Sequence, residues 1–213
     1  MTPLEATTFF ESGYLQWNTI GDDTQYYAYQ DGDETVIIFA PSNSKIDWKN
    51  NFKFWKKPYK RMDVTFYVHS GFLRCWKLIN DFFIDLVKDT GCKKLTIIGH
   101  SYGGAIALLC AEDMWYNIPE LRGHINTITF GAPRILGWFN YKKIKERWEG
   151  TREFSNGTDM VTMIPPSFFG YRHPRKVIHI GKLRNFIDFF KPQKFHDIYS
   201  EGGYHDTLNE ITL

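Results

Sequence analysis

The sequence predicts an α/β fold, in which a mainly parallel β-sheet carries helices on both faces and an antiparallel hairpin lies near the start of the chain. Three observations support this. Short β-branched and aromatic runs alternate with segments of helical periodicity. One of these runs is apolar throughout, as in strands that are buried on both faces. An Asp-Gly pair, which is typical of a tight hairpin turn, joins the first two runs. With 213 residues and no repeat or linker, residues 1–213 are expected to form one domain.

The first elements are a hairpin and a long helix. Residues 26–30 and 35–39 are the predicted hairpin strands, because Asp31-Gly32 between them supplies the positive φ angles of a tight turn. Apolar residues recur at helical spacing from residue 72 to 86 and predict a helix there.

The remaining elements alternate in type along the chain, which is the pattern of a parallel sheet with crossover helices. Strands are predicted at 64–68, 95–98, 125–130, 152–155 and 176–180, and helices at 103–115 and 139–148.

Composition excludes several classes of protein. A formal net charge of +2 leaves no broad cationic excess for a dedicated nucleic-acid binder, and 43% apolar with 17% aromatic residues excludes a disordered chain. Cys75, Cys92 and Cys110 form no disulfide-like or metal-binding pattern. The first residues lack the basic and apolar regions of a signal peptide, and no apolar run approaches the roughly 18 residues of a membrane span. We therefore expect a cytoplasmic location without a transmembrane segment, with other routes of export left open.

One pentapeptide carries chemical information. Residues 99–103 read GHSYG, the pattern G-x-S-x-G, between a predicted buried strand and an apolar helix. This strand–turn–helix order is the setting of a nucleophile elbow, in which a strained turn exposes a serine at a helix N-terminus. Side chains at Gly99 and Gly103 would collide with neighbouring backbone in so tight a turn. The pattern therefore predicts Ser101 as a nucleophile.

A serine hydroxyl needs a base and an orienting carboxylate, which follow in the order acid, then histidine, in α/β hydrolases. Asp159 is the predicted acid, because it lies in a turn just past a predicted strand, at the sheet edge where ligand sites collect. Of the seven histidines, His205 is the predicted base, since Gly202-Gly203 forms a loop before it and the chain ends soon after. His196 remains the alternative.

Five motifs follow one another along the chain: VHSGF at 68–72, GHSYGGA at 99–105, FGAPR at 130–134, N-x-x-D-x-V-x-x-x-P-P at 156–166 and GYRH at 170–173. In this order they resemble the class 3 lipases, the α/β-hydrolase family that includes the fungal triacylglycerol lipases, over roughly residues 25–210. The resemblance implies an α/β-hydrolase fold with Ser101 and Asp159 in a catalytic triad. The family's histidine lies near the C-terminus, which favours His205, but HDIY at 196–199 also fits its H-x-x-Y pattern.

The charge that builds on a substrate carbonyl requires preorganised hydrogen-bond donors. The backbone N–H of Tyr102, directly after the nucleophile, is one predicted donor. The resemblance implies Ser42 as the second, through its N–H and its hydroxyl. Here the sequence departs from the family, since Ala40-Pro41 stands in place of Arg-Gly and proline removes an N–H just before the donor.

Residues 44–61 read SKIDWKNNFKFWKKPYKR and interleave aromatic with basic side chains. In the family that the chain resembles, this stretch is the lid, a short amphipathic helix that uncovers the site at a lipid interface. Rings suit the headgroup boundary and lysines suit anionic lipid. We expect a lid at 44–61 and a peripheral contact with an anionic lipid surface. A surface helix packed on the core through Trp48 and Phe52 is the alternative.

Together these features predict a serine ester hydrolase that cleaves esters of acyl lipids, with a lipid or small ester as substrate. No metal or organic cofactor is implied, and no nucleic-acid partner is expected. A phospholipase A1 or a small-ester esterase on the same scaffold is one alternative. An inactive hydrolase fold that binds a membrane or a protein is another. The sequence does not indicate an oligomeric state.

Overall fold

The computed structural model describes residues 1–42, 55–61, 63–181 and 192–212. The strands in these ranges are β1 (Asn18–Ile20), β2 (Thr24–Asp31), β3 (Glu34–Phe39), β4 (Lys56–Lys60), β5 (Thr65–His69), β6 (Lys94–His100), β7 (Ile125–Phe130), β8 (Leu136–Gly137), β9 (Thr151–Asn156), β10 (Tyr171–Arg172) and β11 (Ile178–Ile180). The α-helices are α1 (Pro3–Thr7), α2 (Ser70–Lys77), α3 (Asn80–Thr90), α4 (Tyr102–Asn117), α5 (Tyr141–Ile144), α6 (Pro192–His196) and α7 (Tyr204–Thr212).

The main sheet has the order β1-β2-β3-β6-β7-β9-β11 among the described residues. β1, β2 and β3 pair antiparallel, and every pairing from β3 onward is parallel. The predicted hairpin is confirmed, with Asp31 paired to Glu34 across the turn and a φ of 55° at Gly32. Because parallel strands end at the same edge of a sheet, the segments that follow β3, β6 and β9 lie along one edge.

Alternate side chains of the strands enter two separate cores. In β3, Ile37 and Phe39 join the core on one face, whereas Val36 and Ile38 join the core on the other. Helices α2, α3 and α4 contribute to the first core, and α1 and α7 contribute to the second. Burial on both faces explains why the central strands read as continuous apolar runs.

The long helix predicted at 72–86 is two helices in the structure. α2 ends at Lys77 and α3 begins at Asn80, because the chain leaves the helical conformation at Ile79, which has a φ of −129°. Apolar side chains of both helices still enter one core, so their spacing in the sequence resembles that of a single helix. The charged helix predicted at 139–148 is likewise divided, into α5 and a 3₁₀ turn.

A second, antiparallel sheet has the order β10-β8-β5-β4 in the described part of the chain. β4 occupies residues that the sequence assigned to the end of the lid, so that part of the prediction is wrong. The strand pairs with β5 from Lys56 opposite His69 to Lys60 opposite Thr65, and its Tyr59 is buried. The rest of the predicted lid, 44–54, lies outside the described residues.

Arg61, directly after β4, links the second sheet to α4. Its guanidinium pairs with the buried carboxylates of Glu112 and Asp113. Arg147 also pairs with Glu112 and, at 2.7 Å, with Asp63. Each buried carboxylate thus has a cationic partner, which offsets the cost of removing it from water.

Candidate active site

Ser101 lies between β6 and α4 in a strained backbone conformation, with φ 56° and ψ −122°. A positive φ is rare for a residue that carries a side chain. A Cβ on Gly99 would overlap the carbonyl of Gly103, and a Cβ on Gly103 would overlap the carbonyls of Phe39 and Ala40. The structure therefore has the tight turn that the pentapeptide predicts, with glycine where side chains do not fit.

A chain of hydrogen bonds links Ser101 to His196 and Asp159. The Ser101 Oγ lies 2.8 Å from Nε2 of His196, and Nδ1 of His196 lies 3.1 Å and 3.0 Å from the two carboxylate oxygens of Asp159. An ionised carboxylate only accepts, so Nδ1 carries the hydrogen and Nε2 accepts from the serine hydroxyl. In this arrangement a histidine is ready to take the proton of a serine.

The structure corrects the choice of His205 as the base. His205 lies in α7, where its Nδ1 is 2.7 Å from the hydroxyl of Thr7 in α1 and its ring contacts Tyr199. The Gly-Gly pair before it turns the chain into α7 and so carries His205 towards α1. The histidine at Ser101 is His196, and the signal that identifies it is the H-x-x-Y pattern that begins there.

Asp159 follows β9, and its carboxylate is almost completely buried. Oδ1 accepts from the backbone N–H of Val161 at 2.9 Å, and Oδ2 accepts from the hydroxyl of Tyr204 at 2.6 Å. Burial acts to raise the pKa of Asp159, but hydrogen bonds from His196, Tyr204 and Val161 and the charge of His196 outweigh it. The net pKa lies below the ordinary value, so Asp159 is ionised at neutral pH.

Tyr204 is a site residue that the sequence analysis missed. It is fully buried at the start of α7, where its hydroxyl accepts from the Asn156 N–H at 3.1 Å and donates to Asp159. Burial, followed by the charge of Asp159, raises the pKa of Tyr204 well above its ordinary value, so the hydroxyl keeps its hydrogen. No pattern around Asp159 indicates a partner 45 positions further along the chain.

His100, inside the pentapeptide, supports His196. Its Nε2 donates to the carbonyl of His196 at 2.8 Å, and the two imidazole rings lie 4.9 Å apart. Burial, with the neighbouring His196 as the second cause, lowers the pKa of His100 to about 3. His100 is therefore neutral near pH 7 and holds the backbone of His196 in place.

Of the two predicted oxyanion donors, Tyr102 belongs to the elbow, and Ser42 stays a prediction. Tyr102 opens α4 directly after Ser101, at the positive end of the helix dipole. Ser42 follows β3, two residues beyond Ala40, whose carbonyl approaches Gly103 so closely that no side chain fits between them. The segment that carries Ser42 therefore starts in contact with the elbow.

Within the described ranges, no group of three or more His, Cys, Asp and Glu side chains is placed to hold a metal ion. None of the helices in these ranges has the length and apolar character needed to cross a bilayer. Cys75, Cys92 and Cys110 are free thiols, and burial raises the pKa of Cys110.

A strained serine between a parallel strand and a helix, with a histidine and a carboxylate brought to it from later in the chain, defines an α/β-hydrolase fold. The sequence profile of the family described as Lipase (class 3) matches residues 36–169. Because the match covers more than half of the 213 residues, the chain belongs to the class 3 lipases. The resemblance carried by the five motifs is confirmed.

Individual relatives agree with this assignment. A secreted mono- and diacylglycerol lipase of Malassezia globosa is 33% identical over 144 residues, which cover 60% of this chain and 45% of that protein. A lipase of Rhizomucor miehei is 31% identical over 166 residues, which cover 74% of this chain and 45% of that protein. The chain thus spans about half the length of these relatives.

Solved structures confirm the fold. The Rhizomucor miehei lipase in complex with its propeptide has a TM-score of 0.67 at 26% identity, over 78% of this chain and 56% of that one. A triacylglycerol lipase with a serine protease triad as its catalytic centre has a TM-score of 0.66 at 25% identity, over 78% of this chain and 64% of that one.

The expectation of a cytoplasmic location is wrong. Relatives from Malassezia globosa and Fusarium solani are named as secreted lipases. The expectation rested on the composition of the first residues, which does not by itself determine the compartment.

Proposed function

We propose that the chain is a serine ester hydrolase with Ser101 as nucleophile, His196 as general base and Asp159 as the orienting acid. The observation that carries the proposal is the continuous hydrogen-bond chain from the Ser101 hydroxyl through His196 to the buried, ionised Asp159. A serine hydroxyl is a poor nucleophile without such a base, and a buried carboxylate keeps the imidazole in the required tautomer.

The reaction has two halves. Ser101 Oγ attacks the ester carbonyl while His196 Nε2 takes its proton, and the same nitrogen then gives the proton to the departing alcohol. Water, activated by His196, releases the acid from the acyl-enzyme. The backbone N–H of Tyr102 and the N–H and hydroxyl of Ser42 stabilise the oxyanion, each worth roughly 3 kcal/mol of barrier.

The proposed substrates are carboxylic esters of acyl lipids. The lipase names of the relatives and the family assignment support this class. The intact triad geometry argues against an inactive module that binds a membrane or a protein, because such a module has no need of an ionised Asp159 aligned with His196 and Ser101. A phospholipase A1 or a small-ester esterase uses the same site with a different substrate.

The catalytic proposal is tested with Ser101→Ala on a short-chain p-nitrophenyl ester, beside Ser12→Ala, which removes an exposed hydroxyl. We expect Ser101→Ala to lose hydrolysis and covalent labelling by a fluorophosphonate probe, while Ser12→Ala keeps both. Labelling or turnover in folded Ser101→Ala protein would refute the role of Ser101.

The substrate class is tested by measuring the wild-type rate on triacylglycerol below and above its solubility limit, and on phospholipid vesicles. A lipase is expected to work fastest on the emulsified triacylglycerol. A higher rate on vesicles would indicate the phospholipase, and activity on dissolved esters alone would indicate the esterase.

A further inference from the structure

A basic groove lies beside the edge strand β11, between α5 and the chain that follows β10. It has a volume of about 770 Å³, and Tyr141 and Thr151 form part of its wall. The remaining lining side chains are all cationic: Lys142, Lys145, Arg172, Arg175 and Lys176.

These five cations form no ion pair with a carboxylate in the ranges that the structure describes. Arg172 instead stacks on the ring of Tyr141 at 3.5 Å. Glu153, which lies nearby, is engaged by Nδ1 of His173 at 2.8 Å and by the backbone N–H of Arg175 at 2.9 Å. Clustered charge of one sign focuses an electrostatic field that attracts anions. The groove therefore suits an anionic partner.

A second groove, of about 540 Å³, continues from the first, since Arg172, Arg175 and Lys176 line both. Arg134 and Trp138 also line this second groove. The cationic surface thus reaches an exposed aromatic side chain.

Arg134 connects the second groove to the loop that follows Asp159. Its guanidinium donates to the carbonyl of Met163 and, at 3.1 Å, to that of Pro165. Arg134 therefore joins the wall of the second groove to the loop that follows the catalytic acid.

Exposed apolar side chains border this surface. Phe168 is 79% exposed and Trp138 60%, and the rings of Phe168 and Phe169 lie 4.5 Å apart. We call the group the apolar ridge: Trp138, Phe139, Met160, Met163, Phe168 and Phe169. Large apolar side chains gathered in solvent mark an interaction site rather than ordinary surface.

We propose that the basic groove and the apolar ridge together form a docking surface for anionic lipid membranes. Cations attract headgroup phosphates, while aromatic and methionine side chains enter the boundary between headgroups and acyl chains. Met160 and Met163, in the ridge, lie in the loop that directly follows Asp159. The inference deepens the proposed function, but the docking itself requires no hydrolysis.

The test measures dissociation constants of the inactive Ser101→Ala chain for phosphatidylcholine vesicles with and without phosphatidylserine. Lys145→Gln with Lys176→Gln removes two groove charges. Lys77→Gln with Lys88→Gln removes two exposed charges on α2 and α3, away from the groove, and is the matched control. Only the groove pair is expected to weaken binding to the anionic vesicles, roughly 30-fold at about 1 kcal/mol for each cation. An unchanged melting temperature shows that each variant is folded.

The ridge is tested in the same assay with Phe168→Ala, and Ile211→Ala serves as a control because Ile211 is also exposed but lies on α7. Phe168→Ala is expected to weaken binding about tenfold and Ile211→Ala to leave it unchanged. If the groove pair and its control lost vesicle binding equally, the docking surface would be refuted. The same holds if Phe168→Ala and Ile211→Ala lost it equally.

The alternative partner is another polyanion. Binding of a single-stranded oligonucleotide through the groove lysines, with no vesicle binding, would overturn the lipid assignment. If the wild type hydrolyses no ester while the groove and ridge variants lose vesicle binding as expected, the proposed function fails and the docking surface stands.

Discussion

Gly131 shows how closely the residues of the site are packed. Its φ is +60°, and a Cβ there would lie 2.7 Å from both Oδ2 of Asp159 and Nδ1 of His196. Ordinary carbon contacts are near 3.5–4.0 Å, so a methyl group must push the acid and the base out of place. The glycine is therefore needed for the geometry of the triad as well as for its own backbone.

We predict that Gly131→Ala lowers kcat/KM for a soluble ester at least 100-fold, because a displacement of about 1 Å in a catalytic group has that effect. Gly123→Ala is the matched control, since Gly123 also has a positive φ, +80°, but has no atom within 4 Å of the added Cβ. Equal activity in the two variants would show that the contact with the triad is unimportant.

Tyr204 is the second residue whose role depends on one hydrogen bond. The bond to Asp159 helps to keep the pKa of that carboxyl low, so its loss moves the acid limb of the pH–rate profile to higher pH. Because a hydrogen bond to a charged group is worth about 1.5–3 kcal/mol, we expect Tyr204→Phe to lower kcat/KM at neutral pH about tenfold.

The control for Tyr204→Phe is Tyr171→Phe, since the buried Tyr171 hydroxyl has no hydrogen-bond partner among the described residues. Tyr171→Phe is expected to leave the pH–rate profile where it is. If the pH–rate profile of Tyr204→Phe also stayed unchanged, Tyr204 would contribute to packing alone.

At the scale of elements, α4 is held at its N-terminus and again within its second half. Its N-terminus follows the nucleophile, and its middle carries Glu112, whose carboxylate is shared by Arg61 and Arg147. The same pairing fixes the start of the second sheet, because Arg61 directly follows β4. This network therefore ties the elbow to the strand that comes after residues 44–54.

We predict that Glu112→Gln lowers the free energy of unfolding by about 3 kcal/mol, because it removes the buried carboxylate that Arg61 and Arg147 share and leaves them only Asp113 and Asp63. Glu120→Gln makes the same chemical change at an exposed position and is expected to have little effect. Urea unfolding measures both, and a loss below about 1 kcal/mol in Glu112→Gln would show that the network is dispensable.

The elements differ in how far the sequence predicts them. The hairpin and the central strands were predictable because turn chemistry and burial on both faces are local signals. The break between α2 and α3 was not, since both helices face one core and the apolar spacing continues across it. β4 was also missed, because its residues, KKPYK, are mostly lysine and continue the composition of the basic and aromatic stretch before them.

The site was predictable where its chemistry is local. The glycines around Ser101 and the turn at Asp159 are readable from adjacent residues. The choice between His196 and His205 depends on where α6 and α7 pack, and the role of Tyr204 depends on a contact made after α7 docks. The contact of Tyr204 leaves no signal in neighbouring residues, and the H-x-x-Y pattern at His196 is a signal only through the resemblance to the family.

For the whole molecule, two buried histidines make stability depend on pH. Burial lowers the pKa of His69 to about 4, and burial, with His196 second, lowers that of His100 to about 3. Both are neutral in the folded chain at pH values where an unfolded chain, with a histidine pKa near 6.5, is protonated. The free energy of unfolding is therefore highest above about pH 6.5. It falls as the pH drops from there towards the pKa values of the two histidines in the folded chain.

We predict that lowering the pH from 7 to 5 reduces the free energy of unfolding by about 4 kcal/mol for the two histidines together. His69→Asn removes one titrating ring and keeps an acceptor for the Gly71 N–H at the helix N-cap, so the loss should fall to about half. The same pH dependence in both proteins would mean that His69 is protonated in the folded state.

The most direct test of the account compares His196→Ala with His205→Ala on a soluble p-nitrophenyl ester. Both variants remove an imidazole from the same short C-terminal region, but only His196 contacts Ser101 and Asp159. We predict that His196→Ala loses roughly 10⁴-fold in kcat and that His205→Ala stays within a few-fold of wild type. Near-complete loss in His205→Ala with activity retained in His196→Ala would contradict the triad described here.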